Sequence, residues 1–168
     1  MIETFWKFFT NFFGKTNKSM YLVPTHIIIH HSFTEDRKTV DWKAIRDYHV
    51  QTNKWSDIGY HFGIETILDG YLATLLGRPL WRPGAHEPKM NNSSVGICII
   101  GNFDVISPTT AQYDMCADLC AWLCHIYAIP VDNIHPHSKY APKTCPGKLF
   151  DMNLLREKTK NILLTRWV

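Results

Sequence analysis

Ile27-Ile28-Ile29-His30-His31-Ser32 is a run of branched apolar residues closed by two histidines. Side chains branched at Cβ favour the extended backbone, so the run predicts a buried strand that carries an imidazole to a cleft at the sheet edge. Neighbours on a strand point to opposite faces, so only one of His30 and His31 can serve a given site directly. Far downstream, His135-Pro-His-Ser-Lys-Tyr-Ala-Pro-Lys-Thr-Cys-Pro146 places His135, His137, Lys143 and Cys145 in one loop punctuated by proline. Imidazole and thiolate are ligands that zinc prefers, and a site with three protein ligands keeps its fourth position open for a water. A lysine two residues before the cysteine adds a fixed positive charge where an oxyanion would form. The plainer alternative is ordinary packing, in a chain that already holds nine histidines.

Outward from the first strand, the pattern alternates. A helix is predicted from about Asp41 to Gln51, with Asp41 or Thr39 as its cap. His61–Thr66 and Tyr71–Thr74 flank Asp69-Gly70, a hairpin signal. Ser94–Ile100 reads as a buried central strand, and Thr110–Tyr127 as a long helix with Pro108 in its first turn. A last helix is expected from about Asp151 to Leu164. Strands alternating with helices predict an α/β domain on one mixed β-sheet flanked by helices. Cys116, Cys120 and Cys124 recur at four-residue steps beside Met115, Leu119 and Leu123, which marks a core stripe rather than a second metal site.

Between these elements stand Trp55-Ser56-Asp57-Ile58-Gly59-Tyr60-His61-Phe62, then Gly77-Arg78, Gly84-Ala85-His86, Ser94-Val95-Gly96-Ile97 and Gly101-Asn102-Phe103. With the two histidine segments, from about His26 to about Leu155, they make the chain resemble the zinc-dependent N-acetylmuramoyl-L-alanine amidases. That superfamily is shared by peptidoglycan recognition proteins and the small phage lysozyme-amidases. The resemblance implies one Zn2+ held by His30, His137 and Cys145, with His137 rather than His135 at the eight-residue spacing from the cysteine. It implies Tyr60 and Lys143 as the catalytic pair, Tyr60 guiding a water and Lys143 stabilising the tetrahedral oxyanion. His31, His61, Arg78, His86 and Asn91 are candidates for binding the sugar and stem peptide of peptidoglycan. The implied reaction is hydrolysis of the amide joining N-acetylmuramic acid to L-alanine, as in a phage or prophage endolysin. Two other classes compete: a non-catalytic peptidoglycan-binding module, disfavoured by the presence of Cys145, and a regulatory partner protein.

Length and composition bound the remainder. The 168 residues suffice for one core, and 45% hydrophobic with 20% charged residues is a globular balance. A net charge of +3 suits an anionic polymer or lipid surface but is too small to argue for nucleic acid. Five cysteines, none before Cys98, do not form a disulfide framework, so a reducing cytoplasm is expected until release onto the cell wall. The first 20 residues lack a secretory pattern. Residues 1–20 read as an extension before a catalytic domain at 21–168. Within it, Ile2, Phe5, Trp6, Phe9, Phe12 and Phe13 fall on one side of an amphipathic helix over residues 2–13. That face would either pack on the domain or touch a membrane surface. The protein is expected to be a monomer.

Overall fold

The computed structural model describes residues 21–34, 40–67 and 70–166. The expected helix at residues 2–13 lies outside the described residues, as do Thr39 and Asp69.

Strands β1 (His26–His31), β2 (Phe62–Thr66), β3 (Leu72–Leu76), β4 (Ser94–Ile99) and β5 (Ile134–Pro136) form one sheet in the order β3-β2-β4-β1-β5. β1 is parallel to β4 and β5, β2 is parallel to β4, and only the β2–β3 hairpin is antiparallel. The mixed α/β sheet is therefore present as expected. Gly70 closes the hairpin in the left-handed region, at φ +84°, a conformation glycine adopts without a Cβ penalty.

Alternation on β1 and β4 separates two faces. Ile27 and Ile29, with Val95, Ile97 and Ile99, point into a continuous apolar core with Phe62, Ile64 and Ile134. Helices α2 (Thr110–Tyr127) and α3 (Met152–Arg166) cover that face. Cys116, Cys120 and Cys124 are buried there, which is the core stripe read from their spacing. The start of α2 differs from expectation. Thr109, not Pro108, is adjacent to the first turn, and Thr109 and Gln112 close a reciprocal capping box. Two orphan N–H groups are thereby satisfied, so the proline is displaced to just before the cap.

The opposite face carries His26, Ile28 and His30 on β1 and Ser94, Gly96 and Cys98 on β4, with His30 opposite Cys98 in register. Small residues leave room for rings here. A side chain on Gly63 would collide with the Trp42 indole, and one on Gly96 with the His86 imidazole. Trp42 opens α1 (Trp42–Asp47), which Asp41 caps by accepting from Ala44 N–H at 2.6 Å. The helix then widens into a π turn at Tyr48–Thr52, ending one residue beyond the expected Gln51.

Candidate metal and catalytic site

His30 lies near the carboxyl end of β1, and His137 follows β5, the parallel neighbour of β1. Ligand sites in open α/β sheets gather at such carboxyl ends. The loop after β5 returns Cys145 to the same point. The ligand atoms of His30, His137 and Cys145 lie within 4.8 Å of one another, and all three residues are buried. Cys145 Sγ is 3.8 Å from His30 Nδ1, and the rings of His30 and His137 are 4.4 Å apart between centroids. Usual Zn–N and Zn–S lengths put tetrahedral ligand atoms roughly 3.3–3.6 Å apart, so the Cys145–His30 pair is near that spacing and the three atoms must draw together around a small ion.

The donors are neutral before any cation arrives. Burial, then neighbouring His86 and His137, hold His30 well below the ordinary histidine range. Burial also lowers His137, while Glu87 partly raises it. Burial pushes the Cys145 thiol up to about 12, against the opposing effects of a hydrogen bond from the His31 backbone and of Lys143. A cation binding here must therefore displace the thiol proton.

The ligands sit in a cleft of about 440 Å³ that is also lined by His31, Phe33, Tyr60, Lys143 and Thr144. The Tyr60 ring is 5.0 Å from that of His30. Its hydroxyl donates to the Cys98 sulfur, and burial pushes the phenol well above 10. Lys143 is exposed at the cleft. Asp104 anchors this loop, accepting from Thr144 Oγ1 at 2.6 Å and from Lys148 N–H at 2.9 Å. His31 lines the cleft although alternation turns it from His30, because the strand ends there. Its Nδ1 accepts from Phe103 N–H.

Four expected groove residues are placed elsewhere. His61 is buried between Gly96 N–H, which it accepts at Nδ1, and Arg82 C=O, which it meets at Nε2. Arg78 turns inward to the carbonyls of Ile58, Pro83 and Asp57. Asn91 Oδ1 accepts from the backbone N–H of both His86 and Glu87. His86 lies behind His30, its Nδ1 3.1 Å from His30 Nε2. None of these four lines the cleft, because each spends its polar atoms on the chain itself. His135 stays on β5 and meets Lys139 Nζ at 2.9 Å, away from the triad.

Sequence reasoning missed Glu87, Cys98 and Asp104. Cys98 was reachable through strand period, since it faces the same way as Gly96 and opposes His30. Glu87 and Asp104 act across long sequence separations, on His137 and Thr144, and no local pattern marks them.

A sequence profile of the N-acetylmuramoyl-L-alanine amidase family matches residues 20–148. The chain is 34% identical over 129 residues to peptidoglycan-recognition protein LB of Drosophila melanogaster, covering 73% of this chain and 54% of that protein. It is 31% identical over 145 residues to the endolysin of Escherichia phage T7, covering 83% of this chain and 90% of that protein. Among solved structures, the N-acetylmuramoyl-L-alanine amidase LysC from Clostridium intestinale superposes with a TM-score of 0.73 at 27% identity, covering 88% of this chain and 94% of that one.

Proposed function

Because the chain belongs to the N-acetylmuramoyl-L-alanine amidase family, we propose that it is a zinc-dependent peptidoglycan hydrolase of endolysin type. The bond cut is the amide between the lactyl group of N-acetylmuramic acid and L-alanine. The observation that carries this reading is the buried His30, His137 and Cys145 triad, opening onto a cleft with Tyr60 and Lys143. Two imidazoles and one thiolate suit zinc, and three protein ligands leave a position for catalysis. Zinc bound there supplies a Lewis acid and acidifies a water.

The chain's own residues supply the rest. Tyr60, kept protonated by burial and donating its one O–H to the Cys98 sulfur, offers its hydroxyl oxygen as an acceptor that orients the water. Lys143 is at the cleft and brings positive charge to the oxyanion as the carbonyl carbon becomes tetrahedral. The water oxygen bonds to the carbonyl carbon and the C–N bond breaks, so the lactyl group keeps the new carboxylate and the L-alanine nitrogen leaves as an ammonium carrying both water protons. His31 lies in the same lining and is the candidate substrate contact of the five named from sequence.

The likeness to the phage endolysin over most of that protein's length supports a bacteriolytic role, with residence in the host cytoplasm until lysis. Membrane contact through residues 2–13 rests on their sequence alone. Deleting residues 1–19 should leave hydrolysis intact and abolish leakage of anionic vesicles. No described helix is long and apolar enough to cross a membrane.

The deciding experiment is mass spectrometry of fragments released from purified peptidoglycan by the zinc-loaded protein. Free stem peptides with an exposed L-alanine amine are expected. Fragments cut between sugars would refute the amidase assignment.

A further inference from the structure

The two ligand histidines share one support. His86 and Glu87 are consecutive in the turn before β4, and both backbone N–H groups donate to Asn91 Oδ1 at 2.9 Å. Asn91 N–H in turn donates to the Glu87 carbonyl at 2.8 Å. The turn so tied directs two adjacent side chains at two different ligands. His86 Nδ1 meets His30 Nε2 at 3.1 Å, and Glu87 Oε2 meets His137 Nε2 at 3.0 Å.

Glu87 is 3% exposed, and its other oxygen accepts from Lys89 N–H at 3.1 Å. Burying a carboxylate is costly unless its oxygens are bonded. A turn alone does not need that cost, since Asn91 and the backbone already close it. The carboxylate instead reaches a residue 50 positions away. A carboxylate only accepts, and a neutral imidazole carries a single N–H. The proton of His137 is therefore on Nε2, and the Nδ1 lone pair is left for a cation.

We propose that Glu87 is the positioning residue of the metal centre, holding His137 in the Nε2–H tautomer with Nδ1 free to ligate. The same turn steadies His30 through His86, so His86 and Asn91 act behind the ligands and not in the groove. Outer partners of this kind fix ring orientation and raise ligand basicity, and their loss costs about 10–100-fold in metal affinity. The inference rests on the reading of the triad as a zinc site.

The test titrates zinc into metal-free full-length protein against a chromophoric chelator. Glu87→Ala should weaken zinc binding about 10–100-fold. Glu87→Gln should restore most of the loss, because its amide oxygen still accepts from Nε2–H. Long-range proton–nitrogen spectra of the metal-free parent should show His137 as the Nε2–H tautomer, a readout independent of how the alanine variant folds. Parental zinc affinity in folded Glu87→Ala or in Glu87→Gln and Glu87→Ala alike, or an Nδ1–H tautomer in the parent, would overturn the assignment. A parent protein that binds zinc tightly yet releases no stem peptide would instead refute the amidase reading and leave Glu87 in place.

Discussion

Gly96 and Ile97 are neighbours on β4, and the two faces they belong to are built on opposite rules. Ile97 enters a layer of branched residues that two helices cover, packed with aromatic rings and the cysteines of α2 and holding no histidine or carboxylate among its described core residues. Gly96 is a gap on purpose. It leaves space for the His86 ring, beside Ser94 and Cys98, and the volume given up by small residues is filled with imidazoles. One face gains stability by excluding polar groups. The other accepts buried polar groups and must bond each of them, through His61, His86 and Glu87, to hold its ligands in place. Damage should accordingly appear as lost stability on the first face and lost metal or turnover on the second.

The largest effect is expected from Cys145→Ser. A hydroxyl is a poor substitute for a thiolate, so zinc affinity and turnover should fall by more than the roughly 10–100-fold of an outer partner. Isotope-dilution metal analysis beside peptidoglycan hydrolysis checks this. Full zinc occupancy with parental turnover would remove Cys145 from the ligand set.

Next come Tyr60→Phe and Lys143→Ala, each expected to stay folded and metal-bound. Removing one group aimed at the reacting centre costs on the order of 10²–10³ in turnover, and that is the expected loss. Rates equal to the parent in both variants would break the catalytic pair, whatever the fold.

The sharpest form of the comparison is the neighbouring pair itself. Ile97→Val should cost about 0.5–1.5 kcal/mol of stability, with zinc affinity unchanged. Gly96→Ala should act on the other face, pushing the His86 ring off His30 and weakening zinc binding. Denaturant unfolding and zinc competition on both variants separate the outcomes. If Ile97→Val lowers zinc affinity as much as Gly96→Ala does, the faces are not independent.

The same contrast explains what could be read in advance. The apolar face was legible because strand and helix periods report burial directly, as in Ile27, Ile29 and the cysteines of α2. The triad was legible because His30, His137 and Cys145 join ligand chemistry to a known spacing. His61, Arg78, His86 and Asn91 were expected at the groove because their motifs crowd the site. Motifs do not say on which side of a ligand a residue stands. That depth is set by the hole at Gly96 and by bonds between residues far apart in sequence, such as Glu87 to His137.

The last expected effect is pH-dependent and belongs to the buried histidines. Burial, with Arg78 adding to it against a hydrogen bond to Arg82 C=O, lowers His61 to about 4. Unfolded, the same imidazole titrates near 6.5. Between these values the unfolded chain binds more protons than the native one, so stability rises with pH across that window. The contribution is fully present above 6.5 and is lost as pH falls toward 4. From pH 7 to 5.5, His61 alone should cost on the order of 1 kcal/mol. His30, His31, His49 and His86 are lowered by burial too and act in the same direction. Urea unfolding of the metal-free protein at the two pH values measures the sum. Ile97→Val should shift both curves equally, because the described residues of its core cluster include no histidine or carboxylate to titrate in this range. A stability that stays flat or increases on acidification would show that these imidazoles are not buried as neutral rings, and the second face would lose its rule.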